Sequence, residues 1–270
     1  MSQFPNEPMS QNNLADQLEY HEESSNGQAA KNIGGELVER GDVMLVYSRP
    51  EFGGGFNFAC RVRTDEAHIE SLIDQVCDWF AARKIDSPLF RVSPLTRPAN
   101  LAQILERRGF VCAEHETQMV LESDDTEPAT NPRVLIEWVQ PRELESWVGI
   151  QHRGFGETGE PSATMIDMAL KSFESGMNTP YLARIDGEPV GAGSLIHWAG
   201  AFGIYGVAVA DQARKQGVAT AMVRQMIRDV RACGQPICLQ AQTNGAEQRW
   251  YERIGFRVVY DRTGWNPSQK

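Results

Sequence analysis

The alternation of apolar and polar positions gives this chain two stretches of similar rhythm. In residues 65–84, Ala67, Ile69, Leu72, Ile73, Val76, Trp79 and Phe80 recur at helical spacing over a polar opposite face, which predicts an amphipathic helix. Leu37–Val38, Val43–Val46 and Phe56–Val62 read as short strands before it, around the turn-rich Pro50-Glu51-Phe52-Gly53-Gly54-Gly55. Leu89–Val92, a short helix and Phe110–Cys112 follow it. Farther on, Val134–Val139 predicts a strand, and 141–155 and 161–173 predict helices that each open on a proline, a residue suited to a helix start. Tyr181–Ile185 and Pro189–Trp198 form a hairpin across Asp186-Gly187, a pair suited to a type I′ turn. A strand over 202–209, an amphipathic helix, a strand over 237–241 and a short helix ending at Gly255 complete the pattern. The order β-α-α-β-β-β-α-β-α-β predicts an α/β protein.

Residues 1–33 are rich in Asn, Gln, Ser and Glu, contain no Lys or Arg before Lys31 and show no sustained periodicity. They predict a mobile polar tail. Two prolines and an acidic run interrupt every pattern between Asp124 and Pro132, which places a linker at 124–132 between domains at 34–123 and 133–270. A length of 270 residues suits two domains. The segments also echo one another, since Ile104-Leu105-Glu106-Arg107-Arg108-Gly109-Phe110 parallels Trp250-Tyr251-Glu252-Arg253-Ile254-Gly255-Phe256. The echo suggests an internal repeat.

Composition narrows the classes. An apolar content of 41% and a charged content of 23% are ordinary for a soluble globular protein. No apolar run approaches membrane-spanning length and no basic-then-apolar leader opens the chain, so a cytoplasmic protein with neither membrane span nor signal peptide is expected. Cys60, Cys77, Cys112, Cys233 and Cys238 lack C-x-x-C spacing and suggest neither a disulfide framework nor a metal site. Residues 1–130 hold 11 basic and 22 acidic side chains, while 131–270 hold 15 and 14. The acidity therefore belongs to the first half and argues against nucleic acid as a partner.

The candidate chemistry lies in Arg214-Lys215-Gln216-Gly217-Val218-Ala219-Thr220, between the 202–209 strand and a helix. A strand turning through a Gly-containing loop into a helix aims backbone N–H groups and a positive helix end at one spot, which suits a diphosphate. Downstream, Asn244 and Tyr251 stand seven residues apart, two helical turns, and are expected to share a face.

Together these residues resemble the GNAT superfamily of acyl-CoA-dependent N-acetyltransferases. Arg214-x-x-Gly217-x-Ala219 fits the family's pyrophosphate loop, Asn244 its later cofactor-contacting Asn, and Tyr251-Glu252-Arg253-Ile254-Gly255-Phe256 its terminal signature. The likeness covers about residues 131–265. It implies a GNAT fold, a mixed sheet with helices on both faces, and transfer of an acetyl group from acetyl-CoA to a primary amine, directly in a ternary complex. By resemblance, the pantetheine arm enters between strands 202–209 and 237–241 and pairs with the backbone of Val207, Ala208 and Val209. Arg214, Lys215, Gln216, Gly217, Val218, Ala219 and Thr220 cradle the pyrophosphate, and Asn244 contacts the arm. Tyr251 protonates the departing thiolate, and the Val209 N–H polarises the thioester carbonyl. The two helices over 141–155 and 161–173, with the loop between them, cover the acceptor.

The general base stays open, because Phe202-Gly203-Ile204-Tyr205-Gly206 carries no carboxylate. Glu157, Glu160, His197 and water are the alternatives. In the first half Leu105 stands where Tyr251 stands, and Arg63-Thr64-Asp65-Glu66 lacks glycine and carries carboxylates. It resembles a degenerate GNAT-like copy in a tandem arrangement, serving as a scaffold, a wall of the substrate site or a homodimer surface. A non-catalytic acyl-CoA-binding or regulatory module is the alternative reading. A nucleotide-binding fold fits less well, lacking both Gly-Lys-Ser/Thr and a three-glycine fingerprint. The acceptor is open among small amines, amino acids, antibiotics, polyamines and protein amines.

Overall fold

The computed structural model describes residues 11–49, 56–123 and 131–268. The glycine-rich turn at 50–55 and most of the expected linker, residues 124–130, lie outside them. The first part comprises α1 (Gln11–Asn32), β1 (Glu36–Glu39), β2 (Met44–Tyr47), β3 (Phe58–Cys60), α2 (Ile69–Ala81), β4 (Leu89–Val92), α3 (Leu101–Arg107) and β5 (Phe110–Leu121). The second comprises β6 (Val134–Trp138), α4 (Leu144–Gly154), α5 (Ala163–Glu174), β7 (Asn178–Ile185), β8 (Glu188–Trp198), β9 (Ala201–Val209), α6 (Val218–Val230), β10 (Ile237–Gln242), α7 (Ala246–Ile254) and β11 (Phe256–Pro267). The expected β-α-α-β-β-β-α-β-α-β order is the observed order of the second part. Asp186 and Gly187 have φ of 53° and 88°, the left-handed pair that a type I′ turn requires.

All strands join one sheet in the order β1-β2-β3-β4-β11-β5-β10-β9-β8-β7-β6. The two parts therefore share a continuous sheet, and their last strands are exchanged. β11 lies between β4 and β5, and β5 lies between β11 and β10. β5 and β11 pair antiparallel along nearly their whole length, from Phe256 opposite Leu121 to Pro267 opposite Phe110. The run β1-β2-β3-α2-β4-α3-β5 recurs as β7-β8-β9-α6-β10-α7-β11, so the echo between 104–110 and 250–256 extends to the whole element order.

The amphipathic faces decide the packing. Ile73, Phe80, Leu101 and Leu105 of α2 and α3 bury against Leu45 and Phe90. Leu105, at the position that matches Tyr251, is a fully buried core side chain. On the second part, Met222, Met226 and Ile227 of α6 and Ile254 of α7 bury against Met119 and Leu239. Alternation along β8 puts Gly191 and Gly193 against α6, and Ala192 in the cluster with Trp147 and Val148 of α4 on the opposite face.

The expectation of a mobile tail over residues 1–33 fails for the described portion, because residues 11–32 form α1 and dock on the sheet. The docked face is largely polar, although Leu18 and Ala30 are fully buried in it. Glu19, His21, Glu22, Glu23, Ser24 and Ser25 are all buried, and arginines from the sheet meet the carboxylates. Glu19 binds Arg61 at 2.8 Å and also Arg63. Glu23 binds Arg91 at 2.7 Å and Arg262 at 2.9 Å, and Glu22 binds Arg262 at 2.5 Å. Glu116 of β5 completes the group through Arg262. Buried charge is tolerated only when paired in this way. No helix among the described residues is long and apolar enough to cross a membrane.

Candidate active site

β9 and β10 are neighbours in the sheet but pair only at Phe202 with Ile237 and Gly203 with Cys238. Beyond that point the strands part, so the backbone of Val207 to Val209 faces a gap rather than a ladder partner on the β10 side. Such a strand edge accepts an extended chain. On the other side, the register with β8 shifts between Ala192–Ala208 and Ser194–Tyr205, leaving Gly206 and Val207 opposite Gly193 alone. This is a β-bulge, which re-aims backbone groups. Gly206 takes φ of 61° there, and its carbonyl accepts a 2.8 Å hydrogen bond from Nε2 of Gln151 on α4.

After β9 the chain makes a short 3₁₀ turn over Asp211–Ala213 and enters α6 through Lys215 and Gly217, with φ of 62° and 80°. Gly217 is the N-cap of α6 and brings no capping side chain. The N–H groups of Val218, Ala219 and Thr220 therefore lack the carbonyl one turn earlier that interior residues use. These residues line a recess of about 240 Å³ together with Val209, Arg214, Lys215, Gly217 and Trp250. The glycine supplies a backbone conformation that side-chain-bearing residues adopt at a cost, and the recess gains the positive end of α6. Of the loop side chains, Arg214 folds back on Asp211 at 2.9 Å and on the Val209 carbonyl at 3.4 Å. Gln216 is exposed, and its carbonyl accepts from Asn131 at 3.1 Å.

Tyr251 lies on α7 with its ring 4.5 Å from that of Trp250 and 5.8 Å from that of Phe256. Burial, and then the Glu247 carboxylate, push its hydroxyl up to about 12. Asn244 does not share a helical face with it. α7 begins at Ala246 with Gly245 as N-cap, and Asn244 precedes both with φ of 60°, a left-handed conformation that Asn tolerates better than most residues. Its N–H donates to Gln248 and its carbonyl accepts from Arg249, leaving an exposed side chain beside the β10 end.

The three side chains weighed as general base are scattered. Glu157 and Glu160 lie in the exposed turn between α4 and α5. His197 is at the far end of the β8–β9 hairpin, stacked on Phe202 and 2.8 Å from Gln235. One histidine escaped the sequence reading. His21 of α1 is fully buried beside Gly203, with Nδ1 2.7 Å from the Trp198 carbonyl and Nε2 unpartnered. Burial pulls its pKa down, so the ring is neutral, and the Trp198 carbonyl fixes the proton on Nδ1. Nothing in the local sequence signals this placement, because it follows from the docking of α1.

The comparisons with known proteins agree with this geometry. Residues 178–258 match the acetyltransferase (GNAT) domain model. No curated protein sequence matches the chain. Among solved structures, a GCN5-related N-acetyltransferase from Kribbella flavida has a TM-score of 0.69 at 17% identity, over 92% of this chain and 95% of that one. One from Sphaerobacter thermophilus gives 0.60 at 17%, over 86% and 75%. A tandem GNAT protein from the clavulanic acid biosynthesis pathway gives 0.59 at 14%, over 84% and 79%. The parted β9 and β10, the bulge and the glycine-capped α6 all fall inside the matched segment. Residues 178–258 are therefore a GNAT acetyltransferase domain, set within a chain whose fold is that of GNAT structures.

Proposed function

We propose that the protein is an N-acetyltransferase that moves an acetyl group from acetyl-CoA to a primary amine, both bound at once. The observation that carries this reading is the continuity of the β9 gap with the α6 recess. An extended arm can add to Val207, Ala208 and Val209 as a strand, and it then delivers a diphosphate to the N–H groups of Val218, Ala219 and Thr220. Lys215, exposed at the mouth of the recess, adds a cation. Asn244, off the helix, reaches the arm from the β10 side.

In the reaction the amine nitrogen attacks the acyl carbon, the carbon–sulfur bond breaks, and CoA leaves as a thiolate. The Val209 N–H polarises the carbonyl on which negative charge develops. Tyr251 is assigned to the sulfur. With its pKa near 12, full transfer to a thiolate of ordinary pKa, about 8.5, would be uphill by about 5 kcal/mol. Tyr251 therefore acts as a hydrogen-bond donor that stays protonated and lowers the energy of the leaving anion. The proton released by the amine is assigned to water, since Glu157, Glu160 and His197 are dispersed.

Calorimetric titration with acetyl-CoA, ATP and NAD tests the reading. Binding of acetyl-CoA in preference to both others is expected, and equal binding of ATP would refute it. The alternative of a non-catalytic acyl-CoA-binding module rests on the membership of Tyr251 in the buried core cluster. CoA release in the presence of an amine separates the two.

A further inference from the structure

A second cavity, of about 290 Å³, lies between α1, α4 and α5 at the start of β7. Its walls are mainly apolar, with Ile33, Phe56, Trp147, Met165 and Met168 prominent, and among the described residues no Asp, Glu, Lys, Arg or His lines it. Part of the wall comes from α1 and Phe56, outside the matched GNAT segment. Gln151 lines the cavity and donates to the Gly206 carbonyl at the β9 bulge. A Cβ on Gly154, one turn along α4, would meet the Ala208 side chain at 2.6 Å. The cavity thus adjoins the strand that carries Val207 to Val209. At its other end Asn178 donates from Nδ2 to Ser172 Oγ at 3.2 Å, while its Oδ1 is buried with no partner.

We propose that this cavity binds the acceptor and selects a weakly basic primary amine on a compact apolar body, an arylamine being the matching class. The proposal rests on the acyl-transfer reading above. An ammonium ion entering here would lose its hydration and meet no carboxylate, a strongly unfavourable exchange. An alkylamine with the basicity of a lysine side chain has only about one molecule in 2,500 neutral at pH 7. An arylamine, whose lone pair is shared with its ring, enters neutral and ready to attack. Its ring fits beside Phe56 and Trp147, where aromatic contact adds to burial. Polyamines and protein lysines are disfavoured on the same ground.

The test has two readouts. First, the methionine methyls are ¹³C-labelled and aniline is titrated in without acetyl-CoA. Shifts at Met165 and Met168, with Met222 and Met226 of the α6 core unmoved, are expected, and the absence of shifts at Met165 and Met168 overturns the site. Second, CoA release is compared for aniline, benzylamine, spermidine and Nα-acetyl-lysine. At pH 7, kcat/KM for aniline should exceed that for spermidine and for Nα-acetyl-lysine at least tenfold. Between pH 6 and 8 the benzylamine value should rise about tenfold per unit, tracking its neutral fraction, while that for aniline stays flat. Faster reaction of either polycation or lysine analogue overturns the selectivity, as does a flat benzylamine profile. Met168→Asp places a carboxylate in the wall and should shift preference toward benzylamine and spermidine. If acetyl-CoA binds and cationic amines react best, this proposal fails and acyl transfer stands. If acetyl-CoA does not bind, acyl transfer fails, and the methyl shifts still decide whether the cavity takes an arylamine.

Discussion

Arg262→Met removes the cation at the centre of the polar contact between α1 and the sheet. In the native protein the Arg262 side chain is 5% exposed and donates to Glu22, Glu23 and Glu116. Methionine fills much of the same volume, so the loss is chiefly electrostatic. Breaking a buried pair from one side costs about 3–5 kcal/mol, because it strands the partner charge. That is a large share of the roughly 5–15 kcal/mol that holds a typical fold, and corresponds to a Tm lower by roughly 6–20 °C. The pH dependence sharpens the expectation. Burial already raises the Glu22 carboxyl to about 7 against the pull of Arg262, and the substitution lets it rise further. The folded variant then holds a proton that the unfolded chain releases near 4.5. This contribution is present in full below about 4.5 and is lost as pH rises through the folded value. Glu116 works in the same sense. Arg262 holds its pKa down despite burial, a stabilisation present at higher pH that the variant forfeits. Urea unfolding followed by circular dichroism should therefore show a larger deficit against the native protein at pH 8 than at pH 5.5. A deficit under about 1 kcal/mol at pH 8, or one that shrinks as pH rises, would refute the account.

Three further outcomes are expected. Gly217→Val forces a β-branched residue into φ of 80°; a strain of about 1–3 kcal/mol should weaken acetyl-CoA binding roughly tenfold to a hundredfold by calorimetry, and an unchanged Kd would remove the loop from the site. Tyr251→Phe loses a hydrogen bond to a developing anion, of about 1.5–3 kcal/mol, so kcat should fall at least tenfold with acetyl-CoA affinity unchanged; equal turnover would end the sulfur assignment. Residues 131–270 expressed alone leave β10 without β5 and β11 without either neighbour, so gel filtration should show aggregation, whereas a cooperative monomer would contradict the shared sheet.

What could be read from the sequence follows from which forces leave a period. In 133–270 helices and strands bury apolar stripes, and the periodicity gives the order of every element and places those it bounds to within a few residues. The α6 loop was legible less from its glycine, which is common at helix starts, than from its pairing with the segment 244–256 downstream. α1 was not, because its buried face is written in Glu19, Glu22 and Glu23, which count as surface residues unless Arg61, Arg63, Arg91 and Arg262 are known to lie above them. The i, i+3, i+4 spacing of those glutamates, with Leu14 and Leu18 one turn apart on the same helix, was the available signal. Asn244 was misplaced for a local reason. A spacing of seven implies a shared face only while the backbone stays helical, and Asn244 turns left-handed before α7 starts. The cavity wall escaped because Ile33 and Phe56 reach it only through the docking of α1 and the path of β3.

The exchange of β5 and β11 makes each half of the chain depend on the other for its sheet. In a single sheet that ended at β10, the strand beside the parted β9 would have a free edge and little to hold its position. Here β5 pairs with β10 from Cys238 to Gln242, and β11 clamps β5 along its length. The divergence of β9 from β10 is therefore fixed by a strand of the first half, while β9 is held on its other side by β8. α1 adds a second dependence, since it crosses the same face and closes the apolar cavity with Ile33. In the first half Leu105, at the position that matches Tyr251, is core. That half supplies the other with two things: a partner for β10 and, among the described residues, a cavity wall without charge.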